Sequence, residues 1–272
     1  PPMPIKIGLV GCGAIGAEIA KAVDSGVLDA NLVAVCDHNP ETAAALINSL
    51  QHKPTRVKLE VLVSLSDVVV EAASQKAVPA IARATLVAGK KLMIMSVGAL
   101  ANSEFFAEVK ALAKEHGSRV YLPSGAISGL DGIKSARIGN IRSVTLTTTK
   151  NPVGLQGAPY IRENKIDLEA LNGPTLIFEG SALEAVKAFP ANVNVAATLF
   201  LASGEGEVHV KVVADPGIHV NRHEIVVEGD FGRITTLVEN VPSPRNPKTS
   251  YLAALSAIAT LRAIVEPVKI GT

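Results

Sequence analysis

Tryptophan is absent from this 272-residue chain, and aromatic residues make up only 3% of it. So few rings leave no stacking platform for nucleic-acid bases. Charge points the same way. Lys and Arg number 26 against 25 Asp and Glu, a net charge of +1, and no basic stripe appears, so a nucleic-acid partner is not expected. Cysteine is scarce too. Cys12 and Cys36 are too few for a disulfide framework and lack metal-ligand spacing, so they read as free thiols in a reducing compartment and no metal centre is expected. No apolar run approaches the ~18 residues of a membrane span. The opening Pro1-Pro2-Met3-Pro4 lacks a charged segment followed by an apolar one, so no secretion signal is expected and the cytoplasm is the expected location. Disorder is excluded from the other side: 48% of residues are hydrophobic and 19% charged, enough to bury a sizeable core.

The first 122 residues alternate between two periodicities. Residues 5–10, Leu32 to Cys36, Val68 to Ala72, Leu92 to Met95 and Arg119 to Leu122 read as strands. Helical spacing fills 14–25, 40–50, 78–88 and 103–116. Asn39 is a plausible cap for the second helix, and Gly89 and Gly117 close the last two. Val57-Lys58-Leu59 is read as a short third strand in an ambiguous stretch. Strand and helix in alternation predict a doubly wound parallel sheet. After residue 125 the pattern changes. Val144, Leu146 and Thr148 alternate with Thr145, Thr147 and Thr149; Val208, Val210 and Val212 share a face; Ile225/Val227 and Ile234/Thr236/Val238 continue the two-residue period. That suits a mixed or antiparallel sheet with unlike faces. Helices are expected near 130–138, 181–188 and 192–202, and Pro242–Pro247 reads as a loop. Leu252, Leu255, Ile258, Leu261 and Val265 form one apolar helical stripe.

The expected fold is therefore α/β: an N-terminal Rossmann domain over 1–125, then an α+β domain over 126–248. The stripe in 249–272 is too apolar to lie free, so it is expected to return and pack on the first domain. The second sheet has another face to cover, so a homodimer through the C-terminal domain is also expected.

Gly11-Cys12-Gly13-Ala14-Ile15-Gly16 is G-x-G-x-x-G, placed after a predicted strand and opening a predicted helix. Gly11 permits the tight turn, Gly13 lets the backbone approach a pyrophosphate, and Gly16 permits close helix–strand packing. The helix start, with Ala14 and Ile15, offers free N–H groups to phosphate. Asp37 ends the second strand about 20 residues further on, where a carboxylate accepts ribose hydroxyls. It would repel a 2′-phosphate, so NAD is expected, with NADP possible because His38 stands beside it. These features point to a nicotinamide-dependent oxidoreductase.

Hydride chemistry usually needs a proton carrier, and histidine suits neutral pH. Of six histidines, His52 and His116 read as surface residues, and His209 as a solvent-facing strand residue. His219 and His223 flank Asn221 in what reads as a loop after Asp215-Pro216-Gly217, and the spacing leaves both open. Lys150, at a strand end, is the best cation for an anionic substrate, with Lys134 and Lys187 behind it; its location on the surface would be the ordinary case.

Two longer strings are more specific: Pro123-Ser124-Gly125-Ala126-Ile127-Ser128-Gly129-Leu130-Asp131 and Phe189-Pro190-Ala191-Asn192-Val193-Asn194-Val195-Ala196-Ala197-Thr198. With Val70-Glu71-Ala72-Ala73-Ser74, Ser96-Val97-Gly98-Ala99 and Asn221-Arg222-His223-Glu224, they resemble the L-aspartate dehydrogenase family across nearly the whole chain. The resemblance implies NAD(P)-dependent oxidative deamination of L-aspartate to iminosuccinate, which yields oxaloacetate and ammonia or feeds NAD biosynthesis. By position it implies that Ala126 and Asn192 contact the nicotinamide end, and that His223 is the catalytic histidine. Ala73, Ser74 and Ser96 are added as cofactor residues, and Lys150, Asn194 and Asn221 as substrate residues. A related two-domain reductase of the homoserine dehydrogenase or dihydrodipicolinate reductase type is the alternative, and a silent NAD-sensing protein is the alternative of another class.

Overall fold

The computed structural model describes residues 4–190, 194–243 and 246–271, with two compact units. One unit runs through Pro123 and takes in Ala254–Lys269; the other runs from Ser124 to Ala253 and regains the chain at Ile270.

In the first unit, β1 (Ile5–Val10), α1 (Ala14–Asp24), β2 (Ala30–Cys36), α2 (Pro40–Ser49), β3 (Thr55–Arg56), α3 (Leu59–Leu65), β4 (Val68–Glu71), α4 (Val78–Val87), β5 (Lys91–Ile94), α5 (Ser103–Glu115) and β6 (Val120–Tyr121) follow in order. The strands lie β3-β2-β1-β4-β5-β6, all parallel. The β-branched run Val68-Val69-Val70 is wholly buried, as a central parallel strand covered on both faces must be. Asn39 caps α2 by accepting from the Glu41 and Thr42 amides, with Pro40 at the first turn where its missing N–H costs nothing. Asn102, not Ser103, caps α5 through the Phe105 amide.

One expectation fails here. Residues 57–59 are not the third strand. The strand is Thr55–Arg56, and Leu59 opens α3. Leu59, Leu62 and Val63 stand at helical spacing, and the latter two are buried while Val61 and Leu65 are exposed. The β-branched valines disguised a helical face.

The second unit holds α6 (Leu130–Ala136), β7 (Ile141–Lys150), α7 (Pro159–Glu163), β8 (Thr175–Ser181), α8 (Ala182–Ala188), α9 (Asn194–Ala202), β9 (His209–Ala214), β10 (Asn221–Gly229), β11 (Gly232–Asn240), β12 (Pro242–Ser243) and β13 (Asn246–Ser250). Its main sheet is ordered β11-β10-β7-β9-β8; β7 and β9 are parallel and the other pairs antiparallel. Register puts Val144, Leu146, Val210, Val212, Ile225 and Val227 on one face, where they join a core with Ala182, Ala185, Ala196, Leu199 and Phe189. Tyr160, Phe178 and Phe189 meet there with ring centroids 5.3–5.6 Å apart. Thr145, Thr147, Leu176 and Leu237 face the other way, beside the Arg222–Glu239 ion pair at 2.7 Å.

Several elements escaped the sequence reading, α7 among them. β8 was not foreseen. The stretch read as the loop Pro242–Pro247 instead contributes to the β12–β13 pair, with Pro242 as the first residue of its strand, a position that a proline tolerates. Finally, α10 (Tyr251–Val265) begins at Tyr251. From Ala254 it belongs to the first unit, where Ala257 and Leu261 share a core with Ile7, Leu9, Ile19, Val35 and Val70.

Candidate functional site

The glycine turn stands at the switch point of the parallel sheet, where β1 and β4 send their chains to opposite sides; ligands bind at such crevices in doubly wound folds. Gly11 has φ +97°, and a Cβ there would meet the Ala72 carbonyl oxygen at 2.4 Å. At Gly16 a Cβ would lie 2.0 Å from the Gly11 carbonyl oxygen. Gly13 differs. A Cβ there would find nothing within 4 Å, so its missing side chain serves something outside the protein backbone. It also starts α1, whose first turn has neither a side-chain cap nor an acid. An open glycine at an uncapped helix start, with Ala14 and Ile15 half-buried behind it, fits a dinucleotide pyrophosphate.

Asp37 follows β2. One of its carboxylate oxygens accepts the Cys12 amide at 2.7 Å and the other the Asn39 amide at 2.8 Å. Its side chain is only 8% exposed, whereas that of His38 is 99% exposed. The Arg56 guanidinium donates to the Asp37 carbonyl at 3.4 Å. Burial, then Asp37, pushes the Cys12 thiol up to about 12, so it stays protonated.

Ala73 and Ser74 are exposed at the end of β4, and Ser96 follows β5. The sequence reading missed what joins them. Glu71 is fully buried, and its carboxylate accepts from the Ala73, Met95 and Ser96 amides and from the Ser96 hydroxyl. Burial pushes its carboxyl up and these donors oppose the push. Every named partner can donate, which suits the ionised form. The signal was available: an acid ending an all-valine strand needs an exceptional reason to be there.

In the second unit the inner face of the sheet turns polar at one end. β7 continues from Leu146 to Thr148 and Lys150; β10 runs from Ile225 back to His223 and Asn221. His223 pairs in register with Thr148 and is 2% exposed, with Nδ1 3.0 Å from the Thr148 hydroxyl. Burial and then the charge of Lys150 lower its pKa to about 3, so it is neutral. Lys150 is 4% exposed, and burial lowers its pKa to about 8. It is not the surface lysine that would be ordinary. With Thr148, Phe189 and Ala196 it lines a cavity of about 10 Å³, room for roughly one water. Lys134 and Lys187 are exposed.

Asn221 donates to the Ser250 hydroxyl at 3.2 Å, and Asn240 donates to the carbonyl of buried Ala126 at 2.8 Å. Both Asn221 and His223 lie in β10, which corrects their reading as loop residues. His219 does lie in the loop before β10 and is exposed. Asn194 is exposed at the start of α9, directly before Val195 and Ala196, which line the cavity with Lys150; Asn192 lies outside the described residues. Among the described residues no group of acids, histidines and cysteines could hold a metal, and no helix is long and apolar enough to cross a membrane.

Comparison with known proteins bears on both units. Residues 131–264 match the family model described as aspartate dehydrogenase, C-terminal, and residues 11–123 match the model described as homoserine dehydrogenase, NAD binding domain. An L-aspartate dehydrogenase of Methanosarcina mazei is 56% identical, covering 98% of this chain and 100% of the relative. One from Methanocaldococcus jannaschii is 44% identical at the same coverage. The crystal structure of aspartate dehydrogenase from Thermotoga maritima superposes with a TM-score of 0.74 at 28% identity, covering 98% of this chain and 99% of that one. A scyllo-inositol dehydrogenase from Lactobacillus casei, with a TM-score of 0.60 at 15% identity, shares the fold alone.

Proposed function

The chain belongs to the L-aspartate dehydrogenase family, and from that premise we propose that it oxidises L-aspartate to iminosuccinate with NAD or NADP. Full-length identity of 56% to the Methanosarcina mazei enzyme carries the reading. Bound nicotinamide supplies the hydride acceptor, and the glycine turn with α1 would hold its dinucleotide. The protein's own residues handle the proton and the charge. His223 is neutral and therefore able to accept a proton from the substrate α-ammonium group. For Nε2 to accept, Nδ1 must carry the ring proton and donate it to the Thr148 hydroxyl, so Thr148 sets the tautomer. Lys150 holds a substrate carboxylate; an anion beside it would also ease the formation of the His223 imidazolium by offsetting the repulsion. Asn221 and Asn194 are assigned to the substrate and Ala126, Asn192, Ala73, Ser74 and Ser96 to the cofactor. Glu71 fixes the last two segments.

The products place the reaction upstream of oxaloacetate and ammonia, or of a step that consumes the imine on the way to NAD. We assign it to the cytoplasm, whose reducing state suits Cys12 and Cys36, both free. We also assign a homodimer through the outer sheet face, where Leu176 and Leu237 are 51% and 56% exposed; light scattering that finds a monomer at micromolar concentration removes this assignment.

The test is turnover of an amino-acid panel with both cofactors, in wild type and two variants. L-Aspartate is the expected substrate. His223→Ala is expected to lower kcat by roughly 10²–10⁴ with cofactor binding retained, and to remove one limb of the pH profile. His219→Ala is expected to lose less than about tenfold. An active His223→Ala ends the proton assignment; turnover of homoserine but not aspartate ends the substrate assignment.

A further inference from the structure

In doubly wound folds the adenosine ribose of a dinucleotide stands beside the end of the second strand. A carboxylate at that place is expected to face the ribose and repel phosphate. Asp37 is already engaged within the protein, with one oxygen also 3.3 Å from the exposed His38 ring. Its two oxygens hold the Cys12 and Asn39 amides, and its side chain is 8% exposed. The outward group is a cation. Arg56 lies on β3, in register with Val35 of β2, and its guanidinium reaches the Asp37 carbonyl at 3.4 Å. Its charge is felt on the glycine turn as well as on the strand end: burial and Asp37 raise the thiol pKa of both Cys12 and Cys36, and Arg56 partly opposes that rise at each. Glu60 is felt at Cys36 only, as the last of the causes there. His38, fully exposed, stands at the same rim.

We infer that Arg56 is the residue that anchors the phosphomonoester on the adenosine ribose when the 2′-phosphorylated dinucleotide binds. The inference rests on the dinucleotide reading of the glycine turn. Its physical content is the planar guanidinium fork, which meets phosphate through two parallel N–H bonds. The Asp37 carboxylate, already accepting two amide protons, presents less unshielded charge to that phosphate than an outward acid would. The site also explains how one chain can retain an acid after β2 without excluding NADP.

The test is calorimetric titration of the full chain with ADP and with 2′,5′-ADP, in wild type, Arg56→Gln and Arg56→Lys. Activity need not be measured. Wild type is expected to bind both. Arg56→Gln is expected to weaken 2′,5′-ADP by at least about tenfold, the scale of a lost charge-assisted pair, and ADP by less than threefold. Arg56→Lys is expected to fall between, keeping the charge without the fork. Arg56 is exposed, so folding is not at issue. Equal weakening of both ligands overturns the inference and makes Arg56 an adenine contact. So does unchanged 2′,5′-ADP affinity in Arg56→Gln. Wild type that binds ADP but not 2′,5′-ADP overturns it alone, whereas wild type that binds neither overturns the dinucleotide reading with it.

Discussion

Replacing Lys150 with methionine is expected to stabilise the fold while impairing substrate binding. The side chain keeps its reach and loses its charge. Burial holds the folded-state pKa at about 8 against 10.5 in the open chain. That shift corresponds to roughly 3 kcal/mol of destabilisation at neutral pH, at about 1.4 kcal/mol per unit. Between about 8 and 10.5 the unfolded chain binds more protons than the folded one, so wild-type stability rises with pH across that window and the penalty is complete below it. Methionine has no such dependence. Urea unfolding should therefore find Lys150→Met more stable than wild type at pH 7, with the gap shrinking by pH 10; other groups that titrate over this range act on both proteins alike. The KM for L-aspartate should rise about 10- to 100-fold, the scale of one hydrogen bond to a charged group. His223 should titrate closer to its ordinary range, since Lys150 is one of the two causes of its depression; carbon-detected imidazole shifts would report it. A variant less stable than wild type at pH 7, or a gap that is equal at pH 7 and pH 10, refutes the charge argument. An unchanged KM refutes the substrate role.

Thr148→Val should leave the imidazole in place while freeing its tautomer, lowering kcat about tenfold or more with little change in KM, and Thr148→Ser should restore most of the loss; equal kcat in all three removes the positioning role. Glu71→Gln sets an amide NH₂ against the backbone donors that Glu71 now satisfies, which should lower stability by about 1–3 kcal/mol and weaken NAD binding, as denaturant titration and calorimetry would measure. A variant with wild-type stability and NAD affinity would mean that those loops are held by other contacts.

The first unit was largely legible because its signals are local. A strand, a glycine turn and a helix follow one another between Ile5 and Asp24, and Gly16 answers the steric demand of Gly11 within that turn. Asp37 was legible as a position and not as an orientation. Its direction is set by the Cys12 amide, 25 residues away, and no spacing rule encodes that. Arg56 was hidden for the related reason that β3 is two residues long and lies where the chain was read differently. Glu71 was visible as a residue, yet its function depends largely on the Met95 and Ser96 amides just past β5, which sheet pairing brings to it.

The second unit shows what alternation can and cannot carry. A two-residue period tells which side chains share a face, and Val144, Leu146, Thr148 and Lys150 do so. It does not tell how far along that face the covering layer extends. A lysine at the end of a strand usually reaches solvent, because its stem is long and its charge costs several kcal/mol to bury. Here β10 and β9 flank Thr148 on both sides, β9 pairs with Lys150, and the face is covered to its end, with both residues buried. The same pairing turns Asn221 and His223 inward, although a polar Asn-Arg-His-Glu string reads as a loop. Thus the two groups proposed to handle charge were each misplaced in the sequence reading: Lys150 on a strand whose burial was underestimated, and His223, singled out by the family resemblance, on a strand that was taken for a loop. Both faults have one cause. The register between strands 75 residues apart decides burial, and burial keeps the His223 imidazole in the neutral form that accepts a proton while working against the ammonium form with which Lys150 would hold a carboxylate.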